Sequence, residues 1–148
     1  MTIEELLARE GIRHTLASYN MAGDRARAED FSAVFTEDGI LETSAFRHEG
    51  RQAIRDWMDG VRAPSADAPS FPSAKFVRHN LTTCQIEMTG PETAAARTYF
   101  VVFTDIGPDH CGYYVDTFRK VGARWLIAHR KARTDWTSPN SKFRAAGT

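Results

Sequence analysis

Among the side chains able to move a proton, His79 has the least ordinary setting. It lies in Lys75-Phe76-Val77-Arg78-His79-Asn80-Leu81-Thr82-Thr83-Cys84-Gln85-Ile86-Glu87-Met88, which reads as one long strand. Alternation puts Val77, His79, Leu81 and Thr83 on one face, so a titratable ring is set between apolar neighbours. Such a ring needs a hydrogen-bonding partner, and a partnered imidazole in apolar surroundings has the makings of a general base. The bland alternative is a histidine that only bonds a neighbour, with Arg78 and Asn80 continuing a polar strand. Other candidates are weaker. His14 and His48 read as surface or rim residues, and His110, beside a hairpin turn, is expected to be exposed. His129 falls on the parity opposite to Leu126, Ala128 and Arg130 and could face either way. Arg130 could reach a substrate oxygen or pair with a carboxylate such as Asp116. Cys84 and Cys111 fit neither a metal spacing nor a disulfide framework, so they read as small hydrophobes. The chemistry open to His79 requires no metal and no nucleotide cofactor.

The elements that must position His79 follow from periodicity. Thr2 with Glu5 forms a capping-box pattern, and Ala8, Ile12, Leu16 and Tyr19 recur at helical spacing behind it. A first helix is expected to about Met21, ended by Gly23. Ala28, Phe31, Val34 and Phe35 mark a short second helix, Asp38-Gly39 a turn, and Ile40 to Thr43 a short strand. Gly50 opens a third helix with a core face of Ile54, Trp57, Met58 and Val61. The segment from Pro64 to Ser73, rich in Pro, Ser and Ala, reads as a loop. Beyond it, breaks at Thr89-Gly90-Pro91-Glu92, Ile106-Gly107-Pro108-Asp109 and Val121-Gly122-Ala123 separate four antiparallel strands, near 75–88, 93–105, 110–120 and 124–136. At ~3.3 Å per residue such strands reach on the order of 40 Å and must twist and curl. The expectation is an α+β fold, with three helices on the concave face of a curved sheet. Residues 1–136 form one domain, and 137–148 a polar tail that is loose or folds over a surface.

Composition excludes several classes of function. Hydrophobic residues make up 42% of the 148, enough to fill a core. Lys plus Arg and Asp plus Glu balance at 19 each, so no excess charge points to nucleic acid or an anionic membrane. No apolar run approaches the roughly 20 residues that span a bilayer. The acidic start Met1-Thr2-Ile3-Glu4-Glu5 lacks a secretory pattern, so a cytoplasmic setting is expected.

The spaced residues resemble the SnoaL-like branch of the nuclear transport factor 2-like superfamily. The likeness rests on Tyr19 with Asp24, Phe35-Thr36-Glu37-Asp38-Gly39, Gly50, and Arg78-His79. It continues through Gly112-Tyr113-Tyr114-Val115-Asp116 and Arg124-Trp125-Leu126-Ile127-Ala128-His129-Arg130, spanning about residues 3 to 136. What the resemblance implies is a cone-shaped α+β barrel with an interior pocket. Relatives include dehydratases, a dehydrochlorinase, polyketide cyclases and ketosteroid isomerases, and also small subunits of ring-hydroxylating dioxygenases.

By resemblance, Asp24 and His79 match a pocket Asp–His dyad, in which the carboxylate fixes the imidazole tautomer. Tyr19 matches a tyrosine one turn before the Asp, as a hydrogen-bonding or acid group. Asp105, His110 and Asp116 are each possible counterparts of a further acid or second histidine. Local sequence leaves alternatives open: Asp24 also fits the N-cap of the second helix, and Tyr19 also completes an apolar stripe. Trp57, Phe46, Leu81, Tyr114 and Arg130 are the expected substrate-binding residues, with the loop near Phe71 at the rim. The implied function is a cofactor-independent lyase or isomerase, dehydratase-like, acting on a hydrophobic cyclic small molecule. The alternative is a non-catalytic binding or assembly module of the same fold. A homodimer or higher homo-oligomer is implied in either case.

Overall fold

The capping box at Thr2 closes as its sequence pattern requires. Glu5 N–H donates to Thr2 Oγ1 at 3.1 Å, and Thr2 N–H donates to Glu5 Oε2 at 3.3 Å. The helix so started, α1 (Ile3–Asp24), buries Ala8, Ile12, Thr15, Leu16, Tyr19 and Asn20 along one stripe. This computed structural model describes residues 1–62 and 74–143; the expected loop from Pro64 to Ser73, with Phe71, lies outside them.

Next come α2 (Ala28–Ala33), β1 (Phe35–Glu42), β2 (Arg47–Glu49) and α3 (Arg51–Arg62). The long strands are β3 (Arg78–Met88), β4 (Thr93–Thr104), β5 (Gly107–Val121) and β6 (Arg124–Thr137). They form one sheet in the order β2-β1-β6-β5-β4-β3, antiparallel except where β1 runs parallel to β6. The fold is therefore α+β, with the helices packed on a curved, unclosed sheet. Its core joins Ile12 and Leu16 of α1, Phe31 of α2, Ile54 and Met58 of α3, and Phe100, Phe118 and Ile127 of the sheet. Burying each such side chain contributes about 1.5–3 kcal/mol. Thr15 Oγ1 also donates to the Trp125 carbonyl, pinning α1 to β6.

Several expectations are corrected. Gly23 does not end α1, which continues through it to Asp24. Phe35, expected in the second helix, opens β1, and Asp38-Gly39 lies inside that strand rather than in a turn. A Cβ at Gly39 would sit 2.9 Å from both Phe35 Cβ and the Thr36 carbonyl oxygen, so this glycine serves a tight bend. The strand β2 had no sequence signal. In β3 the register shifts between Leu81 and Cys84. The extra residue is a bulge, which reverses the alternation, so Cys84 and Ile86 turn inward and Thr83 is exposed.

Candidate active site

Asp24 is placed by the way α1 ends. Arg25 N–H and Arg27 N–H both donate to the Ala22 carbonyl, and Ala26 N–H donates to Gly23. Ala26 adopts φ 51°, the left-handed turn usually given to glycine at a helix C-terminus. The second helix begins without a side-chain cap, at Arg27, so Asp24 is not its N-cap. A carboxylate in the last turn of a helix faces the negative end of the helix dipole, an unfavourable position by some tenths of a kcal/mol. Two donors from one residue of β3 offset it. His79 N–H donates to Asp24 Oδ2 at 2.9 Å, and His79 Nδ1 lies 2.5 Å from Asp24 Oδ1. The Asp24 side chain is 8% exposed and that of His79 20%, so the pair is shielded yet reachable. A carboxylate on Nδ1 calls for the Nδ1–H tautomer and leaves Nε2 with its lone pair.

Asp24 and His79 line a cavity of about 300 Å³ together with Val61, Phe76, Val77 and Ala26, and with the cationic Arg25 and Lys75. The expected binding residues Trp57, Phe46, Leu81, Tyr114 and Arg130 do not line it. Phe46 and Trp57 instead pack on each other at 4.8 Å, with the His48 ring against both. Leu81, two residues further along His79's own strand, packs against the core. Tyr19 is buried between Phe31, Phe35 and Tyr114. Burial raises its hydroxyl pKa against the opposing pull of Arg130.

Deeper in the cone, Arg130 and Asp116 form a bidentate pair at 2.8 and 2.7 Å, with both side chains fully buried. The Arg130 guanidinium carbon lies 4.1 Å from the ring centre of Tyr19 and 3.8 Å from that of Tyr114, in the corner between two rings set 75° apart. Burial opposes its charge, but Asp116 outweighs that and raises its pKa. Tyr114 donates to Asn20 Oδ1 at 3.3 Å, and burial pushes its own pKa well up. Phe100 stacks on Tyr114 at 4.8 Å and reaches the His79 ring at 6.2 Å, so aromatic packing is continuous from the ion pair to the dyad.

The second histidine is where sequence reading went astray. His110 is half-buried, not exposed, and its ring lies 6.4 Å from that of His79. Register explains this: His79 pairs with Val102, and Val102 with His110, so the three share one cross-strand row. The β4–β5 turn is at Asp105 and Ile106, earlier than expected, so β5 already includes Asp109. A shift between Val102 and Phe103 makes Asp109 the extra residue of a bulge. Adjacent residues of a regular strand face opposite ways, but a bulge lets Asp109 and His110 meet, Nδ1 to Oδ1 at 2.7 Å. Of the other possible counterparts, Asp105 accepts from Lys75 N–H at the periphery, and Asp116 is spent on Arg130. His129 bonds Glu42 at 2.9 Å, away from the dyad. Among the described residues no three His, Cys, Asp or Glu side chains gather to hold a metal, and no helix is long and apolar enough to cross a membrane.

Comparison with known proteins bears on this geometry. Residues 4–131 match a SnoaL-like domain. An NTF2-like protein with a cystatin-like fold from Novosphingobium aromaticivorans is 30% identical, with 90% of this chain and 86% of that chain covered and a TM-score of 0.72. A scytalone dehydratase candidate from the same organism shares the fold at 23% identity, with coverage of 93% and 91% and a TM-score of 0.77. The beta subunit of a candidate aromatic-ring-hydroxylating dioxygenase, again from that organism, shares it at 19% identity, with coverage of 90% and 93% and a TM-score of 0.74. No curated protein matched the sequence.

Proposed function

The chain belongs to the SnoaL-like family, and from that premise we propose that it is a lyase or isomerase in which His79 is the general base and Asp24 its orienting partner. The observation that carries this reading is the double hydrogen bond from His79 to Asp24 beside a cavity. The base at Nε2 removes a proton from a carbon next to a carbonyl. The electron pair left behind forms a double bond as a neighbouring hydroxyl departs, and the proton leaves with it as water. Acid–base groups so positioned contribute about 10²–10⁴-fold. Tyr19, packed one turn before Asp24, serves as framework rather than as the acid. Apolar cavity walls at Val61, Phe76 and Val77 suit a hydrophobic cyclic substrate such as a polyketide, steroid or terpenoid.

A thermal-shift screen of hydroxylated ligands of these classes, followed by turnover assays, tests the reading. His79→Ala and Asp24→Asn should both lose turnover while remaining folded. Undiminished turnover in both removes the mechanism.

One observation favours a second reading, an assembly module. Tyr99 is 49% exposed and Phe103 38%, both on the face of β4 turned away from the helices. Light scattering measures whether that face joins two copies, and assembly without any turnover would favour this reading.

A further inference from the structure

Asp109 carries a set of contacts that strand pairing does not need. Its side chain is fully buried, a costly position for a carboxylate unless it is well partnered. Four donors meet it: Ser141 Oγ at 2.5 Å, Lys142 N–H at 2.7 Å, Thr104 Oγ1 at 3.3 Å and His110 Nδ1 at 2.7 Å. Two of the four come from the segment after β6. Ser138 N–H also donates to the Asp109 carbonyl at 2.7 Å, so that segment is tied to the bulge by backbone and side chain alike. Phe143 then lays its ring edge-on against His110 at 4.7 Å. The polar tail is thus not loose through residue 143; it folds over the end of the sheet that carries both histidines.

We propose that Asp109 is a positioning residue of the site, held by the segment Ser138–Phe143, and that it fixes His110 as the Nδ1–H tautomer with Nε2 available to accept a substrate hydroxyl beside His79. This rests on the reading of His79 as the base, and it narrows the substrate to one with a hydroxyl near the acidic carbon. Burial opposes ionisation of Asp109, but its donors Ser141, His110 and Lys142 outweigh that and lower its pKa, so the negative charge His110 needs is retained. Burial lowers the His110 pKa against the pull of Asp109, and His79 adds to the lowering. Among the described residues, the charged or titratable groups near His110 are Asp109 on its own strand, His79 across Val102, and Lys142 in the tail, whose Nζ lies 3.8 Å from Asp105. A neutral ring with Nδ1–H engaged accepts at Nε2 and does not donate there.

The test uses the full chain labelled with ¹⁵N-histidine. Imidazole correlation spectra near pH 7 should show His110 as the Nδ1–H tautomer, and Asp109→Asn and Ser141→Ala should each raise the Nε2–H population while His79 signals stay in place. Asp109→Asn should also lower kcat by about 10²-fold, the cost of misplacing a positioned group. If Asp109→Asn does not fold, Ser141→Ala carries both readouts. An Nε2–H tautomer in the wild type, or a tautomer unmoved in the variants, overturns the proposal. So does full turnover in Asp109→Asn where His79→Ala abolishes it. If His79→Ala itself leaves turnover intact, the base assignment fails, and the tautomer spectra still decide the role of Asp109.

Discussion

Replacing Asp24 by Asn tests the dyad with the least change of shape. The carboxylate now accepts two hydrogen bonds from His79, at its backbone N–H and at Nδ1. An amide has one oxygen and two N–H donors in the same plane. If the oxygen stays toward Nδ1–H, the NH₂ group faces the His79 backbone N–H, donor against donor. If the amide flips, its NH₂ donates to Nδ1 and forces the proton to Nε2, the wrong tautomer for a base. One charge-assisted bond is lost in the first case, worth about 1.5–3 kcal/mol. For a chain of 148 residues that lowers the melting temperature by roughly 3–12 °C. In either case turnover should fall by about 10²–10⁴-fold. Calorimetry and initial rates on the same samples separate the two effects. A variant that melts lower but turns over normally would make Asp24 a purely structural partner. One that matches the wild type in both would refute the geometry-based reasoning.

Other consequences are open to direct measurement. Asp116→Asn leaves the buried Arg130 charge without its counter-ion, at a cost of about 3–5 kcal/mol, and should appear as a large fall in chemical-denaturation midpoint. Ala26→Gly relieves the left-handed conformation at φ 51° and should stabilise the chain by up to about 1 kcal/mol in the same assay. Stability should fall with acid in two stages. His110 titrates lower in the folded chain, so below its ordinary value of 6.5 the unfolded chain takes the proton first and the folded state loses ground. Asp109 is also held low, so its contribution is present above 3.8 and lost as pH falls through its lower folded value; Asp109→Asn should flatten that second stage of the pH–stability curve.

The parts of this molecule legible in the sequence were those with local causes. Thr2 and Glu5 announce α1, the spacing of Ile54 and Met58 announces α3, and glycine-marked breaks announce the meander of long strands. Asp24 and His79 were legible as a pair only through family likeness, since they are 55 positions apart and nothing local links them. What stayed hidden depends on bulges. One inserted residue reverses alternation, which is why Thr83 faces outward and why Asp109 and His110 meet on the inner side. Pro108-Asp109 reads locally as turn chemistry, and only the register with Phe103 and Val102 shows it to be strand. Likewise Asp38-Gly39 has the composition of a turn, yet it falls at an irregularity inside β1, between the residues that pair with β6. The tail has no periodicity at all, and its contacts with Asp109 are tertiary.

The assignment of His79 as the base is tested most directly by following the proton it removes. With a turned-over ligand carrying deuterium at the carbon next to the carbonyl, the wild type should release that deuterium to solvent water, read by mass spectrometry or NMR. His79→Ala, folded by circular dichroism, should release it at least about 10²-fold more slowly. Equal rates of deuterium release by the two proteins would contradict the assignment.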